Sequence, residues 1–291
     1  MKKKCAAVIL VITLSDLLAV FFITDRAVIA AVCFAATAVG VELLYYWLMK
    51  PILALKKQLE EIKDENQKAE NIRKEFVANV THELKTPLTS ISGFIETLQD
   101  GAADDPEIRT KFIDIIAIET ARLKRLIEDI LVLSDIENKK ETDPEKINIR
   151  KSIEETAQII RPIAEMREVE ILTDINEELY ITGSDDRFRQ MMVNLIENAV
   201  KYSNPGGRVW VSGKQEYGRT VICVRDEGIG IAKEHLERLF ERFYRVDKSR
   251  SKKVGGTGLG LSIVKHIAAL LDAELKVESE LGKGSSFYVI F

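Results

Sequence analysis

The chain has 291 residues, 46% hydrophobic and 30% charged, a globular balance that excludes a polytopic membrane protein or a disordered tail as a description of the whole. Its formal net charge of -4 hides an asymmetry: residues 1–50 carry five Lys/Arg against three Asp/Glu, and the remainder carries 37 basic and 43 acidic side chains. A net-acidic body argues against nucleic acid as a partner. The cysteines Cys5, Cys33 and Cys223 share no metal-ligand spacing and make a poor disulfide framework, which points to a reducing compartment.

Cys5 to Ile23 and Ala27 to Leu48 are nearly uncharged runs of about 20 residues, each long enough at about 1.5 Å per residue to cross a hydrocarbon core of about 30 Å. They read as two spanning helices. A cleaved signal peptide is the competing reading of the first run, but no small-residue cleavage site follows it. Lys2, Lys3 and Lys4 precede the first run and Lys50, Lys56 and Lys57 follow the second. The positive-inside rule then places both termini in the cytoplasm and the chain in the cell membrane. Only Thr24, Asp25 and Arg26 remain outside, so a stimulus is expected to come through the membrane, through a membrane partner protein, or from the cytoplasm. Asp16, with Ser15 beside it, is expected to face protein, because an ionisable side chain near mid-membrane costs about 2.5–3.5 kcal/mol on insertion scales.

After Pro51, apolar or small residues recur at Ile52, Leu55, Leu59, Ile62, Ala69, Phe76 and Val80, steps of three and four broken by Asn66 and Arg73. This predicts a parallel dimeric coiled-coil linker with Asn66 setting register. The stripe enters FVANVTHELKTPL at residues 76–88, a further helical pattern that reaches the turn signal DGAADDP before a second long helix. Phe112, Leu126 and Leu133, and Ile116, Leu123 and Ile130, lie on two seven-residue tracks of that helix. An antiparallel hairpin with so wide an apolar face needs a partner, and two copies make a four-helix bundle. His82 is expected to point away from the core, with Pro87 loosening or kinking the helix beside it because it offers no N–H to the Glu83 carbonyl. An exposed imidazole, mostly neutral near pH 7, next to Glu83 and one turn before Thr86 suits a nucleophile, although a surface His beside a Glu is by itself commonplace.

From about Lys146 the pattern becomes mixed. Strands are expected at Val169 to Ile175, Val209 to Val211, Val221 to Val224, Leu275 to Val277 and Phe287 to Phe291, and helices at Arg150 to Glu165, Asp185 to Lys201 and Leu259 to Leu271. These predict a two-layer α/β sandwich. GGTGLGL, residues 255–261, opens a helix and resembles a phosphate cradle, in which backbone amides approach an anion at a helix N-terminus. It is not a P-loop, and it lacks the preceding strand of a dinucleotide fold. Asp226 in DEGIGI could bind a flat heterocycle that Gly228 and Gly230 allow close, or it could sit in an ordinary turn. Asn194 and Asn198 share a helix face, where an amide oxygen could bind Mg²⁺ or the two amides could serve a local network.

In this order, FVANVTHELKTPL, NLIENAVKYS, DEGIGI, FERFYR and GGTGLGL resemble the H, N, G1, F and G2 boxes of the histidine kinases of two-component systems, over roughly residues 71–291. The likeness is to membrane sensor kinases of the phosphate-sensor type. It implies a Bergerat-type ATP-binding sandwich, the fold shared with gyrase and heat-shock ATPases. It also implies His82 as phosphoacceptor, Glu83 as base or ring partner, and Thr86 as the residue that orients water when the kinase dephosphorylates its partner. By the same resemblance Asn198 would ligate Mg²⁺ with Asn194 supporting, Lys201 would meet the phosphates and Tyr202 the nucleoside. Asp226 would take the adenine amino group, and Gly228, Gly230, Gly256, Thr257, Gly258, Leu259 and Gly260 would shape the ATP pocket and its lid. Arg245 is a candidate phosphate contact. His235 and His266 match no phosphoacceptor context and are expected on helix surfaces or in packing.

The expected organisation is a transmembrane hairpin over residues 1–50, a coiled-coil linker over 51–75, a dimerisation and phosphotransfer domain over 76–140 and a catalytic domain over 146–291. The expected function is autophosphorylation of His82 from Mg²⁺·ATP and relay to an aspartate of a cognate response regulator, with phosphatase activity toward it. The competing class is a degenerate kinase, a membrane-tethered module that binds nucleotide or regulator without turnover.

Overall fold

The computed structural model describes residues 11–18, 26–138, 144–175, 178–247 and 256–291. The chain divides into two compact units, Met1–Val77 and Ala78–Phe291.

In the first unit residues 11–18 are helical (α1) and Arg26–Leu44 form α2, which continues through a wider, π-type turn at Tyr45–Met49 into the long helix α3, Lys50–Gln99. The helical stretch Arg26–Gln99 contains a window long and apolar enough to cross a membrane; much of the first predicted span lies outside the described residues. α1 and α2 touch at two levels. Cys33 Sγ donates to Asp16 Oδ1 at 3.4 Å, and Gly40 is buried so closely that a Cβ there would come 2.8 Å from Ile12 Cδ1. Residue 12 lies by 40 and residue 16 by 33, which is the order of an antiparallel pair.

In the second unit α3 pairs with α4, Pro106–Asn138. The turn follows from its residues: Gly101 takes a left-handed φ of 109°, and Asp105 Oδ1 accepts from the amides of Glu107 and Ile108 at 2.9 and 3.3 Å. Pro106 fits at the first helical position because its missing N–H would have lacked an intrahelical partner. Phe94 and Phe112, with ring centroids 4.9 Å apart, pin the two helices near the turn. α3 continues as α-helix through a buried Pro87, since packing of the flanking turns outweighs one missing hydrogen bond. Leu126 and Leu133 are buried, and Phe112, Ile116, Leu123 and Ile130 half-buried, whereas Ile113, Ile118, Ile127 and Leu131 remain exposed on the same helix.

Beyond the hairpin lie β1 (Glu145–Asn148), α5 (Ile149–Met166), β2 (Glu170–Ile175), β3 (Tyr180–Gly183), α6 (Asp185–Tyr202), β4 (Arg208–Glu216) and β5 (Arg219–Asp226). The short α7 (Lys233–Leu236), α8 (Gly260–Leu270), β6 (Glu274–Glu280) and β7 (Gly284–Ile290) complete the order. Five strands form a mixed sheet in the order β2-β4-β5-β7-β6, parallel only between β2 and β4. Alternation sets its faces: Val209 and Val211, Ile222 and Val224, Phe287 and Val289 are buried, while Trp210, Ser212 and Tyr288 between them are more open. α5, α6 and α8 form the other layer and present Ile153 and Ile160, Phe188 and Leu195, and Ile263 and Ile267 as stripes with less than 2% exposure. The five predicted strands and three predicted helices are all present. The small antiparallel sheet of β1 and β3 was not predicted, because EKIN and YITG are too short to show a period.

Candidate active site

His82 stands exposed on α3 among half-buried neighbours, with Val80 and Leu84 on the inner side. Thr86, one turn on, donates its hydroxyl to the His82 backbone carbonyl at 3.1 Å. Glu83 does not bond to the His82 ring. Its Oε2 accepts from Arg122 Nη2 at 3.0 Å, on α4, and from Arg245 Nη2 at 2.9 Å, in the FERFYR segment. Arg122 also lies 3.7 Å from Glu119.

A cavity of about 740 Å³ opens between α6 and the segments 226–231, 244–247 and 256–261, with α4 contributing Arg125 and Asp129. α6 can line it because the helix is two-faced: Leu195, Ile196 and Ala199 are buried in the core, while Asn194, Asn198 and Lys201 border the cavity. Lys201 Nζ is held 2.9 Å from Glu197 Oε1, an i,i+4 pair. Tyr202, Asp226, Gly228, Gly230, Arg245, Gly256, Thr257, Gly258 and Gly260 also line the cavity. His82, Glu83 and Thr86 are not among its lining residues.

Asp226, at the end of β5, is buried, and its Oδ1 accepts from Gly228 N at 2.8 Å and Ser285 N at 3.3 Å. Burial pushes its carboxyl above the usual carboxylate range, against the opposing pull of those two amides. Both amide bonds fall on Oδ1, so Oδ2 is the oxygen left for a ligand amino group. The glycines of DEGIGI have a reason in the protein itself: a Cβ on Gly228 would lie 2.2 Å from the Tyr202 carbonyl oxygen, and one on Gly230 2.0 Å from that of Glu280. Thus their absence of side chain answers to backbone packing before any ligand.

The sequence expected Leu259 at the nucleotide, but its side chain is fully buried; only its amide serves the loop, donating to Thr257 Oγ1 at 3.3 Å. A leucine opening a core helix is drawn inward by burial, and the glycines on either side form the rim. His235 bonds Tyr244 Oη through Nδ1 at 2.7 Å, and His266 bonds the Ser262 carbonyl oxygen through Nδ1 at 2.8 Å, both within the packing of the sandwich. Arg122, Asp129, Glu197 and the Ser285 amide were missed. The i,i+4 spacing of Glu197 and Lys201 carried a local signal, but the α4 residues reach the site only through tertiary packing.

The cavity fits a nucleotide triphosphate and a hard cation. Among the described residues Asn194 Nδ2 and Arg245 Nε are buried N–H donors without a hydrogen-bond partner, and both residues line the cavity, so an anionic oxygen that reached them would satisfy them. Asn198 and Glu197 supply oxygen donors of the kind Mg²⁺ prefers. Among the described residues no three His, Cys, Asp or Glu side chains form a preformed metal cluster, so phosphate and water oxygens would complete the ion's shell.

Residues 72–139 match the His Kinase A (phospho-acceptor) domain, and residues 183–291 match the histidine kinase-, DNA gyrase B- and HSP90-like ATPase family. The chain belongs to the sensor histidine kinases. It is 40% identical over 233 residues to a sensor protein kinase WalK of Staphylococcus aureus, an alignment covering 77% of this chain and 55% of that protein. For WalK of strain JH9 the same identity covers 37% of the relative, so the chain spans about half or less of the length of these kinases. Among solved structures it is similar to histidine kinase ThkA in complex with response regulator protein TrrA, with a TM-score of 0.62 and 25% identity over 75% of this chain and 60% of that one. Full-length ShkA in complex with AMPPNP gives a TM-score of 0.54 at 27% identity, covering 74% of this chain and 45% of that one. The kinase AdeS of Acinetobacter baumannii, at 24% identity and a TM-score of 0.57 over 72% of this chain and 96% of that one, shares the fold.

Proposed function

We propose that this sensor histidine kinase transfers the γ-phosphoryl group of Mg²⁺·ATP to a ring nitrogen of His82 and passes it to an aspartate of a cognate response regulator, which it also dephosphorylates. The observation that carries the reading is the pairing of an exposed His82 on the hairpin with a cavity lined by residues whose buried N–H donors suit phosphate. In the first step a lone pair of neutral His82 attacks phosphorus, an N–P bond forms, the bond to the β-phosphate bridging oxygen breaks and ADP leaves. Glu83 is the nearest carboxylate in sequence to steady the ring or take its proton, once freed from Arg245. Asn194, Asn198, Lys201 and Arg245 hold and neutralise phosphate oxygens, Asp226 orients the base through its amino group, and Tyr202 and the residues from Gly256 to Gly260 frame the pocket. Mg²⁺, held by Asn198 when bound, supplies charge neutralisation to the transferring group.

The chain functions in the cell membrane as a homodimer, with two spans within residues 1–50 and both termini cytoplasmic. A coiled coil over 51–75, a four-helix bundle over 76–140 and an ATP-binding domain over 146–291 follow. Support for the dimer comes from Ile113, Ile127 and Leu131, exposed apolar residues on one face of α4 that one hairpin leaves uncovered. Incubation with γ-labelled ATP tests the reading: an acid-labile, alkali-stable label is expected on the chain and lost in His82→Gln, which should still bind nucleotide. Nucleotide binding without label would favour the non-catalytic module, and label retained in His82→Gln would move the acceptor elsewhere.

A further inference from the structure

Arg245 lies between two anionic demands. Its side chain is only 5% exposed, and Nη2 donates to Glu83 Oε2 at 2.9 Å and to the Thr257 carbonyl oxygen at 2.7 Å. Its Nε is buried and has no hydrogen-bond partner among the described residues, and Arg245 lines the cavity. Two guanidiniums, Arg122 and Arg245, converge on one oxygen of Glu83. Arg122 has Glu119 as a second carboxylate, so Glu83 stays paired if Arg245 departs. Beside this contact, Thr257 Oγ1 donates to Asp129 Oδ2 of α4 at 2.5 Å. Thus two neighbouring contacts fasten the FERFYR and GGTGLGL segments to the hairpin: Arg245 to Glu83 next to His82, and Thr257 to Asp129.

We propose that these contacts are a clasp in competition with nucleotide: Glu83 and a nucleotide phosphate compete for Arg245, and Thr257 with Asp129 holds the arrangement in which Arg245 is on Glu83. The inference rests on the kinase reading above and adds a coupling to it. While Arg245 sits on Glu83, Oε2 of that carboxylate already accepts from two guanidiniums and is occupied when the His82 ring needs a partner. When a phosphate draws Arg245 away, Glu83 keeps Arg122 alone and becomes available. ATP occupancy and readiness of the phosphoacceptor would then be set by the same arginine. A ligand that must first break a clasp binds with an affinity reduced by the fraction of molecules in the open form, so loosening the clasp must tighten binding.

The test is the affinity of the full detergent-solubilised chain for Mg²⁺·AMPPNP, by calorimetry, in Glu83→Ala, Asp129→Ala and Asp129→Asn, with circular dichroism to confirm folding. Glu83→Ala and Asp129→Ala should each bind about three- to tenfold more tightly than the unaltered chain, the worth of one hydrogen bond of ordinary net strength. Asp129→Asn removes the negative charge but keeps an oxygen for the Thr257 hydroxyl, so it should tighten binding distinctly less than Asp129→Ala. Equal gains in the two Asp129 variants would mean simple charge repulsion of phosphate and overturn the clasp. Unchanged or weaker binding in folded Glu83→Ala and Asp129→Ala would overturn it as well. Absence of AMPPNP binding by the unaltered chain and every variant would instead sink the kinase reading on which the clasp rests.

Discussion

Thr86 gives its one hydroxyl proton to the His82 carbonyl at 3.1 Å, so its lone pairs are left to accept from water on the face where His82 is exposed. A hydroxyl fixed in this way can orient a water for attack on a phosphorylated regulator docked at His82, and it lies outside the nucleotide cavity. Thr86→Ala should therefore slow dephosphorylation of the regulator by about tenfold, the scale of one lost hydrogen bond in a transition state, with autophosphorylation changed by less than about twofold. Thr86→Ser should restore most of the rate. Parallel loss of both activities would show that Thr86 serves the α3 helix beside Pro87 and nothing more.

Legibility differed from one part of the chain to another for physical reasons. Val209 and Val211, or Ile263 and Ile267, announce their elements because one face of each is buried and burial imprints a period on sequence. Most of the expected site residues do line the cavity, since α6 and the segments around Asp226 and Thr257 each hold several of them within a few positions. Asp129 and Arg122 were not expected. They belong to a helix whose period reports its hairpin packing, and their partners, Thr257 and Glu83, lie 128 and 39 residues away. For Gly228 and Gly230 the sequence records only that something comes close, and the fold reveals that the near neighbours within the protein are the Tyr202 and Glu280 carbonyls.

Asp226 should exchange stability for recognition. Burial raises its folded pKa above the unfolded value, so the folded protein binds the proton more tightly and loses stability as pH rises from the unfolded pKa through the folded one. At neutral pH the ionised carboxylate is therefore a cost that a neutral isostere removes, while Asn can still accept from Gly228 and Ser285 through its oxygen. Asp226→Asn should raise the melting temperature of the nucleotide-free chain by a few degrees, about 2–4 °C for each kcal/mol, at pH 7. That advantage should shrink as the pH is lowered and the native Asp226 takes up its proton. The same variant should bind AMPPNP at least tenfold more weakly, since the amide cannot match a carboxylate as acceptor for the amino group and presents its NH₂ there instead. A variant less stable than the native chain at pH 7 would show that the two amide bonds need the charge.

Gly230 makes a stricter demand than its neighbours in the loops. It combines a φ of 65° with a Glu280 carbonyl oxygen 2.0 Å from where a Cβ would stand, whereas Gly206, with a φ of 76°, has nothing within 4 Å. Gly230→Ala should cost roughly 2–5 kcal/mol, combining left-handed strain with overpacking against backbone, and Gly206→Ala only about 1–2 kcal/mol. Denaturant melts of the two variants give the comparison directly. Equal losses would mean that the 280–282 turn yields freely, and the nucleotide loop would then be looser than its contacts imply.

The pairing of Asp16 with Cys33 bears on the membrane hairpin. An ionisable group within a proposed span needs a protein partner, and two readings were open from sequence: a structural hydrogen bond across the dimer, or a signalling or partner-docking role. The Cys33 thiol donates to Asp16 at 3.4 Å within the chain, one turn or so from the close approach of Ile12 to Gly40. If the hairpin meets the need internally, Asp16→Leu should loosen α1 from α2 and leave intact the proposed dimer, which the α3–α4 hairpin would hold. Light scattering of the detergent-solubilised chain should give the dimer mass for Asp16→Leu and for the native protein alike. In a background with Cys5 and Cys223 replaced by serine, Cys33 should react with N-ethylmaleimide about three- to tenfold faster in Asp16→Leu, the equivalent of one hydrogen bond lost. Dissociation to monomers with Cys33 reactivity unchanged would place Asp16 at the dimer seam instead. Any altered output in cells would then have to be read as a change in assembly of the spans rather than in the fold of one hairpin.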